Sequence, residues 1–121
     1  MGLDRVTHNF QRALVDDAVC VSDQEALDTA QWLLRNEGLF VGSSSALNIA
    51  AAAHTAKSLL AGLGDVEQQQ QQQQGRRRPQ VVTIVCDHGS RHLSRFWNRD
   101  YVTRNYGLQW PPEDVVPAWL L

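Results

Sequence analysis

Two short turns in this 121-residue sequence contain the residue types that bind small polar ligands. The first, at residues 42–46, reads Gly-Ser-Ser-Ser-Ala and leads into an alanine-rich helical pattern. The second, at residues 87–90, reads Asp-His-Gly-Ser and follows the β-branched run at residues 81–85. Hydroxyl and backbone N–H groups at a helix N-terminus favour polar or anionic ligands, because the helix dipole is positive there. The two turns together predict a ligand site.

Helix capping is a simpler interpretation of both turns. Serine and aspartate are common at helix N-caps and in loops without any ligand. The ligand interpretation depends on the two turns meeting in space. If both follow strands of one parallel sheet, they open on the same crevice at its carboxyl edge, where ligands bind in open α/β sheets.

A metal site is a further alternative at the second turn. His88 and His92 are four residues apart and close to Cys86 and Asp87, all of which are possible zinc ligands. In zinc-binding helices with this spacing, a glutamate directly follows the first histidine, whereas Gly89 stands there in this sequence. The sequence contains no remote cluster of ligands, and we therefore expect no metal.

The helices that would position these turns have recognisable ends. Ser22 and Glu25 have the spacing of a capping box, which predicts that a helix begins there. Gly38 is suited to the left-handed residue that ends such a helix. A second helix is predicted to follow the serine turn and to run through the alanine-rich stretch to Gly62, since alanine has the highest helix propensity.

Three apolar segments predict strands, at residues 16–22, 39–41 and 81–85. The last is a continuous β-branched run, which is typical of a strand buried on both faces of a parallel sheet. Strands and helices that alternate along a chain favour an α/β fold with right-handed crossovers. We therefore predict a partial three-layer structure, in which helices flank a parallel sheet.

Length and composition indicate one partial domain over residues 1–121. Residues 65–79 include seven consecutive glutamines and three consecutive arginines, so we predict a low-complexity insertion there. Residues 100–121 contain two tryptophans and three prolines and are predicted to form an irregular aromatic tail.

Charge and hydropathy exclude several classes of partner. The 11 basic and 13 acidic residues give a net charge of −2, which does not favour nucleic acid. No apolar run approaches the length of a membrane span, so no membrane partner is expected. Cys20 and Cys86 lie in apolar runs and are predicted to be reduced core residues, which indicates an intracellular protein. We expect the cytoplasm, with mitochondria as the alternative.

Several stretches resemble the cysteine synthase / cystathionine β-synthase family of pyridoxal-phosphate enzymes, which have the tryptophan synthase β fold. Residues 38–46 and 82–94 are similar to its closing motifs, and residues 2–10 and 16–26 to the segments before them. The resemblance implies the C-terminal part of the large domain of such an enzyme. It also implies pyridoxal 5'-phosphate as cofactor, a small amino-acid substrate and a possible homo-oligomer.

The resemblance also implies roles for three residues. Ser44 matches the position that holds the pyridine nitrogen of the cofactor, and Asp87 matches a position beside that nitrogen. Gly42 permits close approach of the backbone to the ring. The implied reaction is β-replacement on O-acetylserine or serine, which leads to cysteine.

The sequence also departs from the family. The Schiff-base lysine, the loop that binds the substrate carboxylate and the phosphate loop have no counterpart in it. Lys57 is the only lysine and falls in the middle of the predicted alanine-rich helix. We therefore predict no catalytic residue in this chain and no activity for the chain alone. The alternative is a non-catalytic interaction module that pairs with a full-length homologue.

Overall fold

The computed structural model describes residues 5–62 and 80–121. Regular structure in these residues is helical. The helices are α1 (His8–Gln11), α2 (Asp23–Trp32), α3 (Ser43–Gly62) and α4 (Arg99–Tyr106). A π-helical turn, Leu33–Glu37, extends α2, and two 3-10 turns lie at Gly89–His92 and Ala118–Leu120.

The predicted ends of α2 are confirmed. The Ser22 hydroxyl accepts a hydrogen bond from the backbone N–H of Glu25 at 3.1 Å. Asp23 and Glu25 place negative charge in the first turn, where it stabilises the helix dipole. At the other end, Gly38 adopts the left-handed conformation with φ of 68°. Glycine adopts this conformation without the steric penalty of a side chain.

The core forms where α2 packs against α3 and the segments around α4. Its buried apolar residues are Leu27, Ala30, Leu33, Val41, Ala46, Phe96 and Val102. Alanine at the contact lets the two helix backbones approach closely. The long helix α3 is thereby fixed at its N-terminal half, where its buried residues Ser45, Ala46 and Ala50 lie.

Residues 100–121, expected to be irregular, include most of helix α4. The Asn98 side chain caps this helix by accepting a hydrogen bond from the backbone N–H of Tyr101 at 2.9 Å. The chain beyond α4 is irregular except for its final 3-10 turn. There the Trp119 ring N–H donates to the Thr29 hydroxyl at 2.9 Å and thereby attaches the tail to α2.

The predicted parallel sheet is wrong for the part of the chain that the structure describes. That part contains no strand, and its β pairing is an isolated antiparallel bridge between Val41 and His88. Residues 81–85 are exposed, with Val82 at 90% and Ile84 at 69%. The physical reason is that a strand needs a neighbouring strand to bond its backbone groups, and no described segment lies beside these residues in register.

Residues 81–85 instead lie along α3 through side-chain hydrogen bonds. The Asn48 side-chain amide donates to the Ile84 carbonyl at 3.0 Å, and the Thr83 hydroxyl donates to the Asn48 carbonyl at 3.2 Å. The third predicted strand, residues 16–22, is also irregular, and Val19 is 48% exposed. Both segments have strand-like composition without a strand partner.

Two further expectations concern cysteine and the insertion. Cys20 and Cys86 are free but exposed, so the prediction that they are core residues is wrong. Their predicted burial depended on the sheet that does not form. The predicted low-complexity insertion, residues 65–79, lies outside the described residues. Among the described helices, none has both the length and the hydropathy that a membrane span requires.

Candidate functional site

The structure brings the two turns together at the N-terminus of α3. The backbone N–H of Gly42 donates to the carbonyl of Asp87 at 3.0 Å, and that of Gly89 donates to the carbonyl of Phe40 at 2.9 Å. These bonds flank the bridge between Val41 and His88. The two turns therefore form one continuous structure.

Ser45 is the serine that joins the turns, a role that the sequence did not predict. Its side chain is fully buried. Its hydroxyl oxygen accepts from the backbone N–H groups of Cys86 at 2.8 Å and Asp87 at 3.2 Å, and its O–H donates to the Asp87 carbonyl at 3.3 Å. The available signal was periodicity, because Ser45 lies one helical turn before Ile49 on the apolar face of α3.

Gly42 provides the space in which the side chains of Asp87 and His92 meet. A Cβ atom at this position would lie 1.9 Å from Oδ1 of Asp87 and 2.8 Å from Nε2 of His92. The backbone of Gly42 has an ordinary conformation with negative φ. Glycine is therefore required here for space and not for its conformational freedom. Any larger residue would separate Asp87 from α3.

Asp87 and His92 form a hydrogen-bonded pair. The distance between Oδ2 of Asp87 and Nε2 of His92 is 2.7 Å, and the two side chains are 23% and 27% exposed. The other carboxylate oxygen, Oδ1, is buried and has no hydrogen-bond partner within the described residues. Buried acceptors of this kind are uncommon and mark a place where an additional donor would stabilise the structure.

The three predicted cofactor residues therefore have different surroundings. Gly42 and Asp87 are in contact, whereas Ser44 is exposed in the first turn of α3. Lys57 is exposed on the same helix, thirteen residues after Ser44, which corresponds to about 20 Å at ~1.5 Å per residue. The structure thus separates the lysine from the serine turn, and the cofactor role of Ser44 remains a prediction.

Aromatic packing fixes the second turn. The Phe40 ring contacts the rings of His88 and Trp97 edge to face, with centroids 5.0 Å and 4.7 Å apart. The Trp97 ring N–H donates to the Val41 carbonyl at 2.9 Å. A Cβ atom on Gly89 would come within 2.5 Å of the Phe40 ring, so this second glycine also permits close packing.

The histidines do not combine into a metal site in the described part of the chain. His88 Nδ1 lies 2.9 Å from the Ser90 hydroxyl and 3.3 Å from the Ser90 backbone nitrogen, whose N–H it accepts. This arrangement caps the 3-10 turn. No group of three or more histidine, cysteine or acidic residues in the described ranges is arranged to hold a metal ion.

A cavity of about 240 Å³ lies next to the Asp87–His92 pair. It opens between the beginnings of α2 and α3, the turn after Gly89 and helix α4. The residues that line it are Asp23, Ser43, His92, Arg95, Phe96, Val102, Tyr106 and Leu108. The lining combines charged and hydroxyl groups with an apolar part, as small-molecule sites do. Ser43, and not Ser44, is the serine in its wall.

Two groups near this region have shifted pKa values. A hydrogen bond with Tyr101 raises the pKa of Tyr106 above its ordinary value of 10.0, so the phenol stays protonated at neutral pH. On α2, burial raises the pKa of Asp28, an effect that the hydrogen bond from Gln24 reduces and the nearby charge of Glu25 increases.

The chain was compared with protein-family models, solved structures and curated proteins. No family model and no solved structure matches the chain significantly. Over 99 residues, 80% of the chain, it is 42% identical to cysteine synthase 2 of Neurospora crassa and 46% identical to cysteine synthase 2 of Emericella nidulans. It is 41% identical to the "Putative mitochondrial cysteine synthase" of Saccharomyces cerevisiae over the same share of the chain.

These matches cover 18%, 19% and 21% of the three relatives, so the chain spans about a fifth of their length. The aligned 99 residues are most of the chain. The resemblance inferred from the sequence motifs is thereby confirmed, and the chain belongs to the cysteine synthase family.

Proposed function

We propose that this chain is the C-terminal part of a cysteine synthase-like enzyme that depends on pyridoxal 5'-phosphate. The observation that carries the proposal is the identity of 41–46% to three cysteine synthases over 99 residues. The convergence of the two turns at the start of α3 supports it. The parent reaction would be β-replacement on O-acetylserine or serine, with sulfide as one possible nucleophile.

The described residues fit one edge of the pyridine ring and not the rest of the cofactor. Asp87 offers a buried carboxylate oxygen without a donor, and it packs against Gly42, where any side chain would collide with it. The Ser44 hydroxyl at the start of α3 could serve as a neutral partner of the ring nitrogen. When bound, the cofactor would withdraw electrons from the substrate amino acid, but no amine in the described residues lies near this edge.

The chain alone is therefore expected to be inactive in β-replacement. A Schiff-base lysine must reach the cofactor aldehyde and lose its proton in its surroundings. Lys57 lies about 20 Å along α3 from the serine turn and is exposed to water. The chain can contribute residues that border the cofactor, and the amine has to come from elsewhere in an active enzyme.

Borohydride reduction tests this expectation directly. The purified chain is mixed with pyridoxal phosphate, reduced and mapped by mass spectrometry, with the full-length cysteine synthase 2 of Emericella nidulans as positive control. We expect stoichiometric labelling of the control and none of the chain.

A Lys57→Arg variant separates labelling of this lysine from labelling of the N-terminal amine. A stoichiometric adduct that disappears in Lys57→Arg, together with cysteine formation from O-acetylserine and sulfide, would contradict the proposal.

The remaining expectations about setting and partners belong to the parent enzyme. Its substrate would be a small amino acid, and it could be a homo-oligomer. We infer a cytoplasmic location, with mitochondria as the alternative that the name of the yeast relative suggests.

A second candidate function is a non-catalytic module that pairs with a full-length homologue. The specific observation in its favour is the exposed apolar segment at residues 81–85, where Val82, Ile84 and Val85 are 90%, 69% and 57% exposed. Exposed apolar strand-like segments readily pair with another chain. Co-expression with a full-length relative tests this function.

We expect the pair to co-purify and a Val82→Lys, Ile84→Lys variant to separate from it. A chain that remains a monomer in the presence of the full-length relative would exclude this second function.

A further inference from the structure

We propose that His92 is a proton-transfer group for a small ligand in the 240 Å³ cavity. The ligand would carry an acidic O–H or S–H group next to a single negative charge. This inference goes beyond the proposed function, because it uses only the residues of this chain and requires no cofactor.

The hydrogen bond to Asp87 fixes which nitrogen of His92 is available. A carboxylate only accepts, so Nε2 of His92 carries the hydrogen that is shared with Oδ2 of Asp87 at 2.7 Å. In the neutral ring the other nitrogen, Nδ1, is then a base. It makes no hydrogen bond within the described residues. An imidazole oriented by a carboxylate in this way is a common arrangement for general acid–base chemistry.

Asp87 is held in place before any ligand binds. The buried Ser45 hydroxyl bonds both the N–H and the carbonyl of Asp87, and the N–H of Gly42 donates to the same carbonyl. The carboxylate also packs directly against Gly42. Because these contacts fix the carboxylate, they fix the ring of His92 as well, and preorganised groups lose little entropy when they act.

The cavity wall supplies the other features of a binding site. Arg95 places a guanidinium group in the same wall as His92, and Ser43 and Tyr106 add hydroxyl groups. The guanidinium would pair with the negative charge of the ligand. Phe96, Val102 and Leu108 form the apolar part. About 240 Å³ is below the usual range of sites for drug-sized molecules, which indicates a ligand of a few heavy atoms.

The charges that face His92 come from four elements. Asp87 is in direct contact with His92, Asp23 and Arg95 lie in the same cavity wall, and the Tyr106 phenol is neutral at pH 7. Arg95 provides one guanidinium group, which is why we specify a single negative charge on the ligand.

The proposed step moves one proton. The O–H or S–H bond of the ligand breaks, and its electron pair remains on the ligand as an anion. A new N–H bond forms at Nδ1 of His92, and Nε2–H stays bonded to Asp87. The resulting imidazolium is stabilised by the carboxylate of Asp87, and the new anion by the guanidinium of Arg95.

The test uses mercaptoacetate, which carries an S–H group beside one carboxylate. Its ultraviolet thiolate absorbance at pH 7 should increase on binding and saturate with protein concentration. His92→Gln should abolish the increase, and His88→Gln, outside the cavity, should retain it. Arg95→Gln should weaken binding about tenfold, the loss expected for one charge-assisted hydrogen bond.

Circular dichroism identifies any variant that fails to fold. If His92→Gln unfolds, the exposed Arg95→Gln still decides the outcome. A thiolate signal that is absent from the unmodified chain, or that neither Arg95→Gln nor His92→Gln changes, would overturn the proposal. Because pyridoxal phosphate is absent from this test, it fails or succeeds independently of the proposed enzyme function.

Discussion

Residues 39–41 and residues 81–85 have similar apolar compositions and very different surroundings in this molecule. Val41 is only 4% exposed and belongs to the core, whereas Val82 is 90% exposed. Around Val41, backbone bonds to the second turn and the ring N–H of Trp97 satisfy the polar groups. Residues 81–85 are bonded to Asn48 of α3, whose side-chain amide donates to the Ile84 carbonyl and whose carbonyl accepts from the Thr83 hydroxyl.

The difference shows that burial depends on what a segment meets. The first segment leads into α3 and is covered by the aromatic rings of Phe40 and Trp97 and by the helix contact between α2 and α3. The second lies on the outside of α3 near Asn48, where no described element covers it. Three predictions test how strongly the packed region depends on its contacts.

The largest expected effect is that of Gly42→Ala. The added Cβ would lie 1.9 Å from Oδ1 of Asp87, so the turns have to separate and the core around Val41 must shift. Overpacking of this kind should lower the free energy of unfolding by about 3 kcal/mol, measured by urea denaturation.

Gly62→Ala is the matched control for this substitution. Gly62 lies in α3 with open space around it, so we expect a change within about 0.5 kcal/mol. Similar stabilities for the two alanine variants would show that the junction of the turns is not closely packed.

A pair of valine substitutions compares the two segments directly. Val41→Ala removes two buried methyl groups and should lower the free energy of unfolding by about 1.6 kcal/mol at ~0.8 kcal/mol for each. Val82→Ala removes methyl groups that already face water, so a change within about 0.5 kcal/mol is expected. Equal losses in chemical denaturation would mean that residues 81–85 are buried in solution.

The smallest expected effect is that of Asp28→Asn on α2. Burial raises the pKa of Asp28 above 3.8 in the folded state, so folding disfavours its charged form. The folded state then binds more protons than the unfolded chain, and this aspartate lowers stability as the pH rises through its folded pKa. Asp28→Asn should therefore slightly raise Tm at pH 7, and the gain should vanish below about pH 3.8. A variant less stable than the unmodified chain at pH 7 would contradict the assignment of burial as the main cause.

Local features of the fold were predictable where short-range chemistry decides them. The capping of α2 by Ser22 and its end at Gly38 follow from hydrogen bonds and backbone conformations within a few residues. The sheet was not predictable in the same way, because a strand exists only with a partner, and strand-like composition does not supply one. The same reason explains why Cys86, which follows residues 81–85, is exposed.

The candidate site divides in a similar way. Gly42 and Asp87 lie in the two turns and were given site roles by the family resemblance, and the structure places them in contact. The roles of Ser45 and His92 became known only from the structure. Adjacent serines cannot be distinguished in the sequence, because the orientation of the helix decides which of them is buried. The pairing of His92 with Asp87 depends in addition on the turn between them, which no motif specifies.

By itself, the sequence determined the family, the capped helix α2 and the two turns rich in polar residues, because these depend on residue identity and short spacing. Only the tertiary structure decided that Ser45 is buried, that Asp87 meets His92 and that residues 81–85 remain outside the core. These outcomes depend on which distant segments come within a few ångströms of each other. The hydrogen bonds and packing that follow act only at that distance.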